Sequence, residues 1–371
     1  MTTPFSMNMK HLLLVFALFL SGCDLLGSDE DSFSKAGTVL VANGGNFSDQ
    51  NGYITSIDLS EGSVTHHADL GGFLQGVVSL DDTFFALVNT FSEGRVDVLN
   101  GDVLSLEQQF TPVLAPRYAA QSGGVLYVTN FVWEQPGFVT PITLATGEIG
   151  PSIQVGMTPE GIANVADKMI VANAGSLGSG SVLSVFLPGE IESRSVDIGC
   201  DGPRDLFVIS DTELAVVCTG KTVYNDEWTQ VLEQTMGEVV FFDARSESVT
   251  GRVSLSQQAS STNGTQTGYY SKDTKEVFIT LSSSEEIVVV STEQRSVSSV
   301  IQVPETDGLI GLSGIAYDAG RDQLIIGRFP TSSGGSFPDF TSAGTVQLMN
   351  RAGIVYDSYV AGASISSITL R

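Results

Sequence analysis

Positive charge is scarce in this chain. Seventeen Lys and Arg against 42 Asp and Glu leave its 371 residues at a formal net charge of −25. A surface so poor in cations cannot neutralise a run of phosphates, which excludes nucleic acid as a partner, and a bare anionic lipid surface would repel it. Only six of the cations are Lys, a bias that suits high salt, where self-repulsion is screened; an ordinary acidic exported protein has the same balance. Histidine is nearly absent. Of the three, His11 lies in the N-terminal segment, and His66 and His67 are adjacent on a strand, so they point to opposite faces and cannot ligate one metal. There is no Gly-rich phosphate loop, nucleophile elbow or EF-hand loop. Neither a catalytic set nor a metal or cofactor is expected.

Long apolar runs are also missing where a membrane span would need them. Leu12 to Leu20 is nine residues, against the about 20 that cross a bilayer. That length suits the apolar stretch of a secretory signal. It ends in Leu20-Ser21-Gly22-Cys23, which resembles a bacterial lipobox with Cys23 as the lipidated first residue of the mature protein. A plain signal peptide with an incidental Cys is the alternative. Translation starting at Met7 or Met9 would bring Lys10 close to the start, as a signal requires. The acidic stretch that follows, with Gly27-Ser28-Asp29-Glu30-Asp31-Ser32, buries too little to fold. The expected division is a signal over 1–22, a tether over 23–37 and a folded domain over 38–371. Lipid and tether together place that domain outside the cytoplasm at a membrane face.

What the chain does have is 40 glycines and a repeated short strand. Val125-Leu126-Tyr127-Val128-Thr129-Asn130 is restated as Val39-Leu40-Val41-Ala42-Asn43, Phe85-Ala86-Leu87-Val88-Asn89 and Met169-Ile170-Val171-Ala172-Asn173. Weaker copies end at 218, 281 and 328. The steps between successive ends are 46, 41, 43, 45, 63 and 47. Such a period belongs to propeller blades or to helical arrays, and units of β-branched and aromatic residues without helical spacing select strands. The fold expected is all-β: a seven-bladed propeller in which the repeat is the second strand of each blade. The first unit lacks a first strand, and Ala363 to Leu370 is left over at the other end, so the C-terminal strand completes blade one and removes the open edges. Six or eight blades stay open, because the 63-residue step has room for a degenerate unit.

Labelling the strands A to D within each blade puts short turns on one face and the long loops on the other. Binding residues are expected among those loops. Asn43, Asn89, Asn130 and Asn173 end B strands, where their amides either face a ligand or cap the turn. Phe47, Trp133, Tyr224 and Trp228 stand in loops between strands B and C, as a platform or packed onto the blades. Gln75, Arg117, Glu160 and Arg204 lie before or at the A strands, nearest the axis, with an internal ion pair as the alternative role for the arginines. Cys200 and Cys218 come to the same end of one hairpin, to be either bonded or free.

The stretches Val41-Ala42-Asn43-Gly44-Gly45-Asn46-Phe47, Pro116-Arg117-Tyr118, Leu126-Tyr127-Val128-Thr129-Asn130, Pro159-Glu160-Gly161 and Ile170-Val171-Ala172-Asn173 make the chain similar to YncE-like seven-bladed propellers, particularly the lipid-anchored surface proteins of Bacteroidetes. That resemblance implies a surface or outer-membrane location, although an Asp directly after a lipidated Cys is associated with inner-membrane retention in enteric bacteria. It implies capture of a large ligand such as cobalamin or another corrinoid, passed to a TonB-dependent outer-membrane transporter. The long aromatic loops of blades five and seven depart from the pattern. A propeller that docks a protein without any small ligand is the alternative, and a lactonase-like enzyme is disfavoured by the missing ligand set.

Overall fold

The computed structural model describes residues 37–371 apart from 68, 81–82, 102, 261–265, 283 and 336. Cys23, the signal and all but the last residue of the tether lie outside the described residues. Seven antiparallel sheets of four or five strands follow one another along the chain, and an eighth, two-stranded sheet is an insertion. The molecule is a seven-bladed β-propeller.

The B and C strands are apolar on both sides because each blade is sandwiched between two others. Strand B of blade four, Lys168–Asn173, is buried from its second residue onward. Buried apolar side chains fall into seven clusters, each shared by two neighbouring blades. The D strands lie at the perimeter and are polar: Ser63–His66 of blade one is exposed throughout. His66, which ends that strand, and His67, which follows it, reach different hydroxyls: His66 Nδ1 is 2.9 Å from that of Thr55 and His67 Nε2 2.9 Å from that of Ser56.

Closure is by the last strand. Ile365–Leu370 pairs antiparallel with Thr38–Asn43, with Leu370 opposite Val39 and Ile365 opposite Asn43. It is two residues shorter than the sequence suggests, because strand D of blade seven, Val355–Ala363, takes up Ala363. Ser364 then turns the chain with a φ of 54°. The Gln266 side-chain oxygen accepts from the amides of Ile315 and Ile368, tying the strands on either side of the closure.

The 63-residue step hides no further blade. It holds a hairpin, Thr222–Tyr224 with Val231–Gln234, between strands B and C of blade five, and a long connection after strand D, Ser248–Ser254. Among the described residues the one helical turn is the 3-10 segment Ser176–Gly178, and no helix is long and apolar enough to cross a membrane.

Candidate functional site

Three consecutive blades open strand A in the same way. Pro116–Ser122, Pro159–Val165 and Pro203–Val208 each begin with proline, which needs no ladder partner for its missing N–H, and each carries a bulge directly after it. The bulge takes the second residue off the regular ladder. Those second residues are Arg117, Glu160 and Arg204, so three charged side chains occupy equivalent places around the axis. Blade two has its bulge at the equivalent step, between Leu74 and Gly76, with the buried Gln75 at its centre.

Arg117 and Glu160 form a bidentate pair. Nη2 donates to Oε1 at 2.7 Å and to Oε2 at 2.9 Å, and Nε donates to Oε2 at 3.2 Å. Next to it Arg204 is almost wholly buried. Burial works against its charge, yet Glu160, Tyr118 and Asp205 outweigh it and hold the guanidinium above its ordinary value. Burial also pushes the Asp205 carboxyl up, against the pull of Arg204. Its Oδ1 accepts from the Tyr118 hydroxyl at 2.9 Å, and its Oδ2 accepts from the amides of Thr267 at 2.8 Å and Gly268 at 3.0 Å. Desolvation, then the Asp205 charge, raises the Tyr118 phenol. One connected network therefore runs from blade three to blade six.

Above this network, on the loop face, lies a cavity of about 320 Å³. Arg117, Glu160 and Arg204 line it, with Leu177, Tyr224 and Gln258. Tyr224 comes from the blade-five hairpin, where its ring stacks on Trp228 at 5.4 Å between centroids. The hairpin tip is held by Asn225, whose Oδ1 accepts from the amides of Thr229 and Gln230 at 2.8 and 2.9 Å. Trp228 is 66% exposed, so the stack leaves much of its ring open to solvent on the outer side of Tyr224. Cys200 and Cys218 are joined in a disulfide, which anchors the strand leading into the lining residues Thr219 and Gly220.

The other sequence candidates lie elsewhere. Asn43, Asn130 and Asn173 do not face the mouth; they are buried and hydrogen-bonded inside the ring. In Asn43, Nδ2 donates to the Thr55 hydroxyl at 2.9 Å and Oδ1 accepts from Gly362 of blade seven at 2.7 Å. In Asn173, Nδ2 donates to the Ser184 hydroxyl at 3.1 Å and Oδ1 accepts from Gly156 of blade three at 2.9 Å. Asn130 accepts from the Thr140 hydroxyl at 2.7 Å and donates to Leu114 O at 2.5 Å. Each amide thus links its own strand C to the chain of the preceding blade, and burial with all these partners leaves it nothing to offer a ligand. Asn89 is half-buried at the end of its strand. Phe47 packs against Phe73 and Phe91, and Trp133 sits edge-on to Phe131, both apart from the cavity. Tyr118, Asp205 and Gln258 are additions from the structure; the first two directly follow Arg117 and Arg204 in the chain, which was the available signal.

No protein-family model and no curated protein matches the chain. Solved structures do. A quinonprotein alcohol dehydrogenase-like protein from Bacteroides thetaiotaomicron is 12% identical with a TM-score of 0.66, over 91% of this chain and 78% of that one. The likeness is one of fold. A putative 6-phosphogluconolactonase from Bacteroides fragilis is also 12% identical with a TM-score of 0.61, covering 92% of this chain and 99% of its own. Apo AztD from Citrobacter koseri is 10% identical with a TM-score of 0.53, over 89% and 96% of the two chains. Identities this low carry the propeller architecture and no activity.

Proposed function

We propose that the chain is an extracytoplasmic binding protein, held to a membrane by lipid on Cys23, that captures a ligand on its loop face without transforming it. The observation that carries this reading is the cavity floored by the Arg117–Glu160 pair and Arg204 and bordered by the Tyr224–Trp228 stack. Rigid polar groups at the floor and an open aromatic face at the rim are the usual make-up of a ligand site. About 320 Å³ is at the lower end of ligand pockets. It admits an edge or side chain of a larger molecule, whose flat body then lies on the rings. A corrinoid such as cobalamin has that shape, and a TonB-dependent transporter is the partner that would accept it at an outer membrane.

Calorimetry of the full-length protein with cobalamin and related tetrapyrroles tests the ligand. Heat of binding at micromolar protein is the expected result, and its absence would remove the corrinoid. Tyr224→Ala and Trp228→Ala should each weaken binding by more than about 1 kcal/mol, the level that separates anchoring contacts from peripheral ones. Unchanged affinity would move the site off the blade-five hairpin. A second reading, in which this face docks a protein, is favoured by the exposed Trp228, Leu232 and Met236 on and beside the hairpin. It predicts a partner whose capture is lost in Trp228→Ala while no tetrapyrrole binds.

A further inference from the structure

The turn face, opposite the candidate site, holds a cavity of about 570 Å³ between blades four, five and six. Arg245, Lys272 and Lys275 line it together with Asn164, Tyr270 and two acids, Asp167 and Asp211. In a chain with so large an acid surplus a cation should find a carboxylate, and ten of the fifteen described Lys and Arg do. Among the described residues, Arg95, Arg117, Lys168, Arg194, Lys221, Arg252, Arg295, Arg321, Arg328 and Arg351 stand within 4.0 Å of one. Arg204 lies in the buried axial network, and Arg371 stacks over Phe84. The described cations left without an ion pair are Arg245, Lys272 and Lys275, and all three border this one cavity. Asp167 and Asp211 share its lining yet come within ion-pair reach of none of them, and Asp243 feels Arg245 through longer-range attraction.

Tyr270 also borders the cavity, but its hydroxyl is shielded from solvent and does not open into it. The three cations are held by turns of different blades. Arg245 is in the turn between strand C, Glu238–Asp243, and strand D of blade five, and Lys272 and Lys275 bracket the turn between Gly268–Ser271 and Glu276–Thr280 of blade six. Their convergence is a product of the ring.

We propose that this cavity is an oxyanion site for a phosphate group. A planar guanidinium and two ammonium groups match the charge and the several acceptor oxygens of a phosphate. The chain enters the domain on this same face, because Thr38 opens strand B of blade one at its turn end. With a lipid anchor at Cys23 joining on this face, the phosphate has two sources: a lipid headgroup or a soluble phosphate ester.

The test uses the full chain carrying Cys23→Ser, so that no lipid tethers it, with and without Arg245→Gln, Lys272→Gln and Lys275→Gln together. Inorganic phosphate and glycerol phosphate are titrated against chloride at matched ionic strength, since screening alone stabilises so acidic a protein. Phosphate should bind and raise the melting temperature beyond chloride, and the triple variant should bind it at least tenfold more weakly while keeping its circular dichroism spectrum. Flotation with phosphatidylcholine vesicles, with and without phosphatidylglycerol, separates the sources. Binding to anionic vesicles that the triple variant loses assigns a headgroup; phosphate binding without vesicle binding assigns a soluble ester. Equal response of both proteins to phosphate and to vesicles overturns the site. The cavity under Tyr224 is on the other face, so its ligand affinity stays unchanged in the triple variant whichever way this result falls.

Discussion

At the residue scale, the ring is held by amides as well as by its apolar interfaces. Asn43 and Asn173 each reach an amide of the preceding blade, and they can do so only because the residue met there is glycine. A Cβ at Gly156 would stand 2.6 Å from Asn173 Cγ, and one at Gly362 would stand 2.6 Å from Asn43 Cγ. Gly156→Ala should therefore cost about 1–3 kcal/mol through overpacking, read as a lower urea midpoint with an unchanged slope. A neutral result would mean that Asn173 can swing away freely. The Arg117–Glu160 pair makes a second prediction. Glu160→Gln removes the carboxylate from a largely buried guanidinium and should destabilise the fold by about 3 kcal/mol. If the protein folds with undiminished stability, the pair is replaceable and the floor of the cavity is less rigid than its hydrogen bonds imply. Both the amides and the ion pair were visible in the sequence as residue types. Their assignment was not, since an Asn ending a strand reads the same whether it faces a ligand or a neighbouring blade.

At the scale of elements, three segments depart from the repeating blade, and each has a consequence. The closing strand Ile365–Leu370 covers the edge of Thr38–Asn43. Truncation after Gly362 should expose that edge and send the protein into aggregates on size exclusion, whereas a soluble monomer would show that blade one closes by other means. The disulfide between Cys200 and Cys218 closes a loop across a separation of 18 residues. Replacing both cysteines with Ala should lower stability by about 3 kcal/mol in a denaturant titration. The blade-seven loop is organised by Asp339, whose carboxyl is held down at about 2 by the Ser342 and Thr341 hydroxyls and the Thr341 amide. A carboxylate lowered in the folded state stabilises above its unfolded value of 3.8 and loses that contribution as pH falls toward about 2. The protection factors of the Thr341 and Ser342 amides, each measured rate set against the intrinsic rate at that pH, should accordingly hold above pH 4 and fall across that window, and Asp339→Asn should remove the dependence.

For the whole molecule, charge sets the solution behaviour and the ring sets the function. A net charge of −25 repels itself at low ionic strength, so the melting temperature should climb as salt is raised toward about 0.1 M, where the screening length falls to about 10 Å. A flat salt response would mean that the acids are already compensated locally. The two faces divide the chemistry between them. Loops on one face bring Arg117, Glu160, Arg204 and Tyr224 together from three blades, and turns on the other gather Arg245, Lys272 and Lys275 from two.

The sequence by itself determined the blades, their number within one and the joining of the chain's two ends. All three follow from local β-propensity, a near-constant period and one strand missing at the start with one spare at the end, features that neighbouring residues carry. Only the tertiary structure decided which candidates share a site. Residues 117, 160, 204 and 224 are far apart along the chain, and it is the bulge after each opening proline, repeated around a closed axis, that makes the first three neighbours. The same closure buried the asparagines and left three cations in one hollow, because where a side chain ends up in a ring depends on blades it never meets in sequence.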